Sequence, residues 1–464
     1  MLRRLSFSRR AWLLAGFIAS AMVLGGGGSG NPTTELLLQA LFAGMAIAWL
    51  WSRPREETTG GIDRAVLLLL PIPLLVPLIQ LVPLPPSLWT ALPGRADAVA
   101  ALELVGKDQA WRPISLSPAR TLASLLAVIP PLFCLYATAT LSVAERRLQL
   151  ATIGCLAVIA ALFGAIQLVS PGGGLNLYRH FSLSWVTGFQ ANRNAAADVF
   201  LIGLLALAAL GASQWARSPR AGSPDSRKPA SLILVLGAAL LVIAATVMTG
   251  SRAGIALGLI ALLAAGAMFL VQGDRPLGAR AWMLPVGAVA AGLLALLAYW
   301  ASSAKLSALG RVLVRFSGLE DGRWHVWEDT RYAISQYWPV GSGMGTFEPI
   351  AFAVERLEVV NRTYPNRAHN DFLEIGLEAG VFGYLAVAAA AILCLFLILR
   401  AWREQGERGE QVIFGLAVLS IVALHSLVDY PMRSMAIACL AGVAAGILAK
   451  SPYHRDPSLL ADMA

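Results

Sequence analysis

The chain has 464 residues, of which 57% are hydrophobic and 14% charged, with mean hydropathy +0.67 and net charge +9. Soluble domains carry about 25% charged residues, so a soluble globular fold is excluded. Apolar runs that are continuous over about 18–20 residues, rather than alternating, exclude a closed barrel as well.

The fold class is therefore all-α: a polytopic membrane protein, with residues 1–464 forming a single integral membrane domain. Arg3, Arg4, Arg9 and Arg10 precede an apolar run from Ala11 to Leu24. This is either a signal peptide, with the Gly-rich stretch 25–30 as cleavage zone, or an uncleaved first span. The second reading keeps the remaining topology consistent. Further spans are expected near 35–52, 65–83, 120–141, 149–169, 194–213, 230–249, 253–271, 283–301, 374–399, 411–429 and 434–449, about twelve transmembrane helices in all. With the N-terminus cytoplasmic, the whole excess of +9 falls on the cytoplasmic side. Both termini are then cytoplasmic, and the basicity says nothing for nucleic acid. The four cysteines, Cys134, Cys155, Cys394 and Cys439, lie inside apolar runs and give neither a disulfide framework nor a metal site.

Residues 214–229, rich in Arg, Ser and Pro, read as a flexible cytoplasmic loop. On the other face lie 84–119, rich in Pro and Trp, and 170–193, which leads into Asn192-Arg193-Asn194. A short turn, Thr249 to Gly254, joins two spans, and 302–373 forms one large periplasmic loop.

The densest polar stretch runs from Pro365 to Gly380, at the threshold of the apolar run Val381–Leu399. Such groups are costly at a membrane boundary unless something polar is handled there. Asn370 or Asp371 can cap the helix, and Glu374 suits its dipole. Capping does not account for His369 and Arg367. An imidazole at neutral pH can take a proton from a hydroxyl, or it can be a satisfied capping group. Arg252, between Gly250 and Gly254, either snorkels or meets an anion. Arg193, with Arg179 and His180 upstream, makes a second polar cluster on the same side.

Asp321 to Arg331 reads as a helix on which Arg323, Trp327 and Arg331 are spaced by four, so both guanidiniums can project from one face. That suits a diphosphate, whereas pairing with Glu328 or Asp329 is the bland alternative. Trp324, Trp327, Ala333 and Tyr337 supply an apolar stripe for interfacial packing or for sugar stacking. Gly341-Ser342-Gly343-Met344-Gly345 lacks the lysine of a phosphate loop and reads as a tight turn after Pro339. His425 and Asp429, spaced i,i+4, form a pair that is structural or supports the site from below.

Taken together, Gly188-Phe189 with Asn192-Arg193-Asn194, Gly250-Ser251-Arg252-Ala253-Gly254, Arg323 with Trp327, Pro339 through Phe347, and His369-Asn370-Asp371-Phe372-Leu373-Glu374 with Gly380 resemble the O-antigen ligase / O-antigen polymerase superfamily. The resemblance is strongest over about 185–400. It implies a metal-independent glycosyltransferase of the bacterial inner membrane, without cofactor, whose active site is periplasmic. The donor would be an undecaprenyl-diphosphate-linked glycan. The acceptor would be a hydroxyl of a glycan, of lipid A core or, in related enzymes, of protein, with other polysaccharide-assembly membrane proteins as partners. It makes His369 the general base and has Arg252 and Arg323 hold the diphosphate. Asn192, Arg193, Arg331, Arg367 and Asn370 are expected to bind substrate, and no metal ligand is expected. The rival from another class is a lipid-linked oligosaccharide flippase, which would carry internal repeats and charges at mid-span. A peptidoglycan polymerase of the shape-and-division type is a third reading, against which the histidine motif counts.

Overall fold

The computed structural model describes residues 7–27, 32–52, 61–170, 175, 177–178, 185–216, 228–271, 323–360, 365–404 and 406–452. Outside them lie the expected span at 283–301, the large loop up to 322, residues 217–227 of the expected cytoplasmic loop, Arg179 and His180, and Arg3 and Arg4.

The described chain is helical, apart from a two-residue antiparallel ladder between β1 (Pro83–Leu84) and β2 (Arg112–Pro113). In order come α1 (Arg9–Leu24), α2 (Pro32–Trp51), α3 (Arg64–Leu69), α4 (Ile72–Gln80), α5 (Pro86–Trp89) and α6 (Ala96–Glu103). Five follow: α7 (Pro118–Ala139), α8 (Val143–Val169), α9 (Arg193–Ala216), α10 (Lys228–Met248) and α11 (Arg252–Val271). After the large loop's first part come α12 (Arg323–Tyr337), α13 (Phe347–Val354), α14 (Asp371–Arg403), α15 (Gly409–His425) and α16 (Met435–Leu448). Among the described residues six helices, α2, α7, α8, α9, α11 and α14, are long and apolar enough to cross a membrane. The apolar stretches in α3–α4, α10, α15 and α16 are shorter.

Helix α9 is apolar on every side and buried along almost its whole length, as a helix without a polar face must be. It packs against α8, α10, α11 and α15. Small residues set the closest approaches, because lipid supplies no hydrophobic drive between helices. On α16, a carbon added at Gly442 would lie 2.3 Å from the Pro131 carbonyl oxygen of α7.

Several expected boundaries move for identifiable reasons. Helix α8 starts at Val143, because Ser142 and Glu145 form a capping box. The expected span 65–83 divides into α3 and α4 around Pro71. The expected span 411–429 ends at His425, and residues 426–430 turn away ahead of Pro431.

The expected span 374–399 begins at Asp371 and is interrupted at Gly380, whose φ of 56° and ψ of −140° only glycine adopts readily. A carbon there would lie 2.0 Å from the Pro339 carbonyl oxygen. Val381 N–H turns to Pro339 O at 2.9 Å. The carbonyls freed by the break accept from the glycine turn instead, Leu377 O from Ser342 N at 3.0 Å and Glu378 O from Gly343 N at 2.9 Å. Gln80, at the end of α4, accepts from Met344 N at 2.9 Å and donates to Glu378 O at 2.8 Å. The described half of the large loop is thereby knitted to α14. Its apolar stripe differs from the expected one. Ala333, Val326, Ile334 and Tyr337 pack with Phe347, Ile350 and Leu377, while Trp324 stays exposed against the edge of Trp327.

The two ends of the bundle differ in chemistry. At one end Arg146, fully buried, donates to the terminal carbonyls of Ile447 (2.9 Å), Ala449 (2.8 Å) and Ala139 (3.2 Å), capping α16 and α7. Arg147 pairs with Glu410 at 2.9 Å, and Arg400 with Asp63. The other end gathers the first residues of α9, α11, α14 and α16 with the last of α15.

Candidate active site

The residues after α15 form the hub. His369 stands just before α14, with φ of 50°, a left-handed conformation that a side chain tolerates at some cost. This turns its ring toward the hub, where Nδ1 meets Asp429 Oδ1 at 3.0 Å. The edge of the imidazole contacts Tyr430, ring centres 4.9 Å apart, and 27% of the His369 side chain remains exposed. Asn194 donates to Asp429 Oδ2, and Arg323 Nη2 lies 3.9 Å from the same oxygen while Nη1 donates to the Val428 carbonyl.

Burial would raise Asp429, but the hydrogen bond with His369 and the charges of His369, Arg323 and His425 hold it below the usual carboxylate range. It is ionised at neutral pH and orients the imidazole. Tyr430 is pushed up to about 12, by burial first and by the charge of Asp429 second, and remains a phenol. Its oxygen accepts from Asn192 Nδ2 at 3.2 Å and is hydrogen-bonded with Asn366.

A buried ionic layer supports this arrangement. Glu374 accepts from Arg367 at 2.9 Å and from Ala368 N at 3.1 Å. Arg433 reaches Glu374 at 3.1 Å and Glu378 at 2.7 Å, and Glu378 also accepts from Phe347 N at 3.1 Å. Burial alone would lower Arg433, yet Glu378, Glu374 and Asp371 push its guanidinium well above its ordinary value. Asp371 accepts from Ser426 Oγ at 2.8 Å. These contacts tie the loop segment 367–369, the start of α14 and the turn 426–433 into one unit.

The expected site residues divide accordingly. His369, Arg323, Asn192 and Asn370 converge on residues 427–430. Asn370 serves as cap, its oxygen accepting from Phe372 N and Leu373 N at 3.0 Å each, and its amide donating to Leu427 O at 2.8 Å. Arg367 supports His369 from behind through Glu374. Arg193 lies over the ring of Trp185 at 5.3 Å. That ring also covers the turn before Arg252, since a carbon at Gly250 would come within 2.3 Å of it. Arg252 opens α11 behind Ser251, whose hydroxyl accepts from Gly254 N at 3.1 Å. Trp185 thus meets both Arg193 and the turn that precedes Arg252. Arg331 is exposed, about 12 Å along α12 from Arg323, and has no contact with the hub among the described residues. Glu328 and Asp329, the alternative partners for these arginines, pair with Arg356, at 2.7 and 2.6 Å.

The i,i+4 pairing of His425 with Asp429 is corrected. His425 Nδ1 meets Asp198 of α9 at 2.7 and 2.8 Å, and Asp429 serves His369. Helix α15 ends at His425, so the two side chains no longer share a helical face. Asp198, Tyr430, Arg433 and Glu378 were missing from the expected site. Asp198 carried a signal, as the single ionisable residue of the run 194–213, and Glu378 lies within the polar stretch Pro365–Gly380.

Residues 237–388 match the family model described as O-antigen ligase. The match supports the superfamily that the motifs resemble, whose members are glycosyl-transfer enzymes of membranes. The matched segment contains Arg252, Arg323, Arg331, Arg367, His369 and Asn370, while Asn192, Arg193, Asp429 and Tyr430 complete the hub from outside it. No curated protein matches the chain in a sequence comparison.

Proposed function

We propose that the chain moves an undecaprenyl-diphosphate-linked glycan onto a sugar hydroxyl, as a surface-polysaccharide ligase or polymerase. In this reading it lies in the bacterial inner membrane with about twelve spans, both termini cytoplasmic and the hub at the periplasmic face. The observation that carries the reading is the contact of His369 with Asp429 beside Arg323. Nδ1–H donates to the carboxylate, which leaves the Nε2 lone pair available toward the exposed side. The acceptor hydroxyl attacks the anomeric carbon and its proton passes to Nε2. The bond from that carbon to the diphosphate oxygen breaks, and its electron pair leaves with the diphosphate. Arg323 and Arg252 stabilise the departing charge, the largest single contribution expected in such a transfer, so the step needs no metal ion. Arg193 and Asn192 extend the donor site, and Arg331 and Arg367 flank it.

Cells carrying His369→Ala test this reading, with the protein shown to reach normal membrane levels. Glycan should be lost from the surface. Long chains accumulating on the lipid carrier identify a ligase, and single repeat units a polymerase. An unchanged glycan profile in the variant, with a defective deletion strain, rules out His369 as the base.

A further inference from the structure

Beneath the hub lies an imidazole–carboxylate pair for which the transfer step has no use. Asp198 enters from α9 and His425 from the end of α15, and their side chains are 0% and 1% exposed. His425 Nδ1 faces both carboxylate oxygens, at 2.7 and 2.8 Å. Its other nitrogen, Nε2, is buried and has no hydrogen-bond partner among the described residues. A buried ring nitrogen left so is costly, and His425 lines a small cavity. Asp198, His425, Asp429, Asn192, Tyr430 and Ser434 line that cavity. These polar groups, beside Gly26, Ala195 and Pro431, can supply the two to four partners that a bound water needs. The backbone adds a second link, because the N–H groups of Val428 and Asp429 both donate to the His425 carbonyl, at 2.9 and 2.8 Å.

We propose that His425, anchored by Asp198, is a positioning residue for the transfer reaction, holding Asp429 through a water bound between His425 Nε2 and the Asp429 carboxylate. The inference rests on the reading of His369 as base and extends it by one layer. Asp429 Oδ1 already meets His369, and Oδ2 meets Asn194 and Arg323. The water adds a further contact and fixes the carboxylate plane that aims the imidazole. Substrate does not touch His425. Its effect reaches the reaction only through Asp429 and His369.

The discriminating variant is His425→Asn, assayed as purified full-length protein with a lipid-diphosphate-linked glycan and a hydroxyl acceptor. The asparagine amide retains a donor where Nδ1 stood, so Asp198 keeps its partner, but nothing replaces Nε2. The expected result is kcat lowered about ten-fold or more, with KM for the donor within two-fold of wild type and unchanged membrane accumulation. Wild-type kcat in this variant overturns the proposal and leaves the pair as a strut. Should His425→Asn accumulate poorly, Asp198→Asn is the second variant, preserving volume and one hydrogen bond. It is expected to lower kcat at constant KM, and wild-type kcat there overturns the proposal equally. Activity surviving in His369→Ala would instead remove the underlying reading. Inactive His369→Ala beside fully active His425→Asn removes this inference alone.

Discussion

Asp429 meets His369 at 3.0 Å across sixty residues of chain, although His425 stands only one helical turn before it. The carboxylate thus belongs to the loop histidine, and the end of α15 becomes part of the site. Replacing Asp429 with Asn keeps the shape but removes the charge that fixes the tautomer and stabilises an imidazolium. We expect Asp429→Asn to lower kcat by about 10²-fold or more with little change in KM. Combined with His369→Ala it should cost hardly more than His369→Ala alone. Transfer kinetics of the four proteins check this, and additive losses would separate the two residues.

The pH dependence has a definite sign. Asp429 is held below its ordinary value, chiefly against burial and through His369. Its contribution to stability is therefore present above the unfolded carboxylate value of about 3.9 and is lost as pH falls through the lower folded value. The stability difference between wild type and Asp429→Asn should shrink as pH falls below about 4. Thermal unfolding in detergent across that range measures it. A difference that disappears near pH 6 would contradict the depressed carboxylate.

Arg433 is the cation for two buried carboxylates, at 3.1 Å from Glu374 and 2.7 Å from Glu378. Removing it leaves Glu378 with only the Phe347 N–H among the described residues, and Glu374 with Arg367. Arg433→Ala should cost about 3–5 kcal/mol, as breaking a buried pair does, and should appear as a lowered melting temperature or loss from the membrane fraction.

Gly380 cannot accept a side chain. The added carbon of Gly380→Ala would lie 2.0 Å from the Pro339 carbonyl oxygen, at a φ of 56° that L-residues disfavour. We expect a loss of at least ~2 kcal/mol, with α14 parted from the glycine turn. Limited proteolysis of the segment after Trp338 reads out that parting. Unchanged protease resistance would contradict the description of the turn as anchored on the break.

Much of the helical framework was legible in the sequence, because continuous apolar runs mark long apolar helices. Asn370 before Asp371 likewise marks a helix start through local chemistry, whereas the box of Ser142 and Glu145 lies ahead of the expected span 149–169. The pairing inside the site was not legible. The i,i+4 spacing of His425 and Asp429 suggests a partnership that holds only if the helix continues, and it stops at His425. Glu374 read as a dipole residue, yet its carboxylate binds Arg433 from a segment about 60 residues on. Such contacts depend on how the bundle folds back on itself, which no local pattern encodes. Arg323 and His369 were visible as motif residues, but not that one carboxylate would receive both.

The most direct measurement is transfer by the purified protein from a synthetic undecaprenyl-diphosphate-linked glycan to an acceptor hydroxyl, with wild type compared with His369→Ala. The account predicts product from wild type and a loss of about 10²-fold or more in the variant, with donor binding retained. Turnover by His369→Ala at the wild-type rate would contradict it.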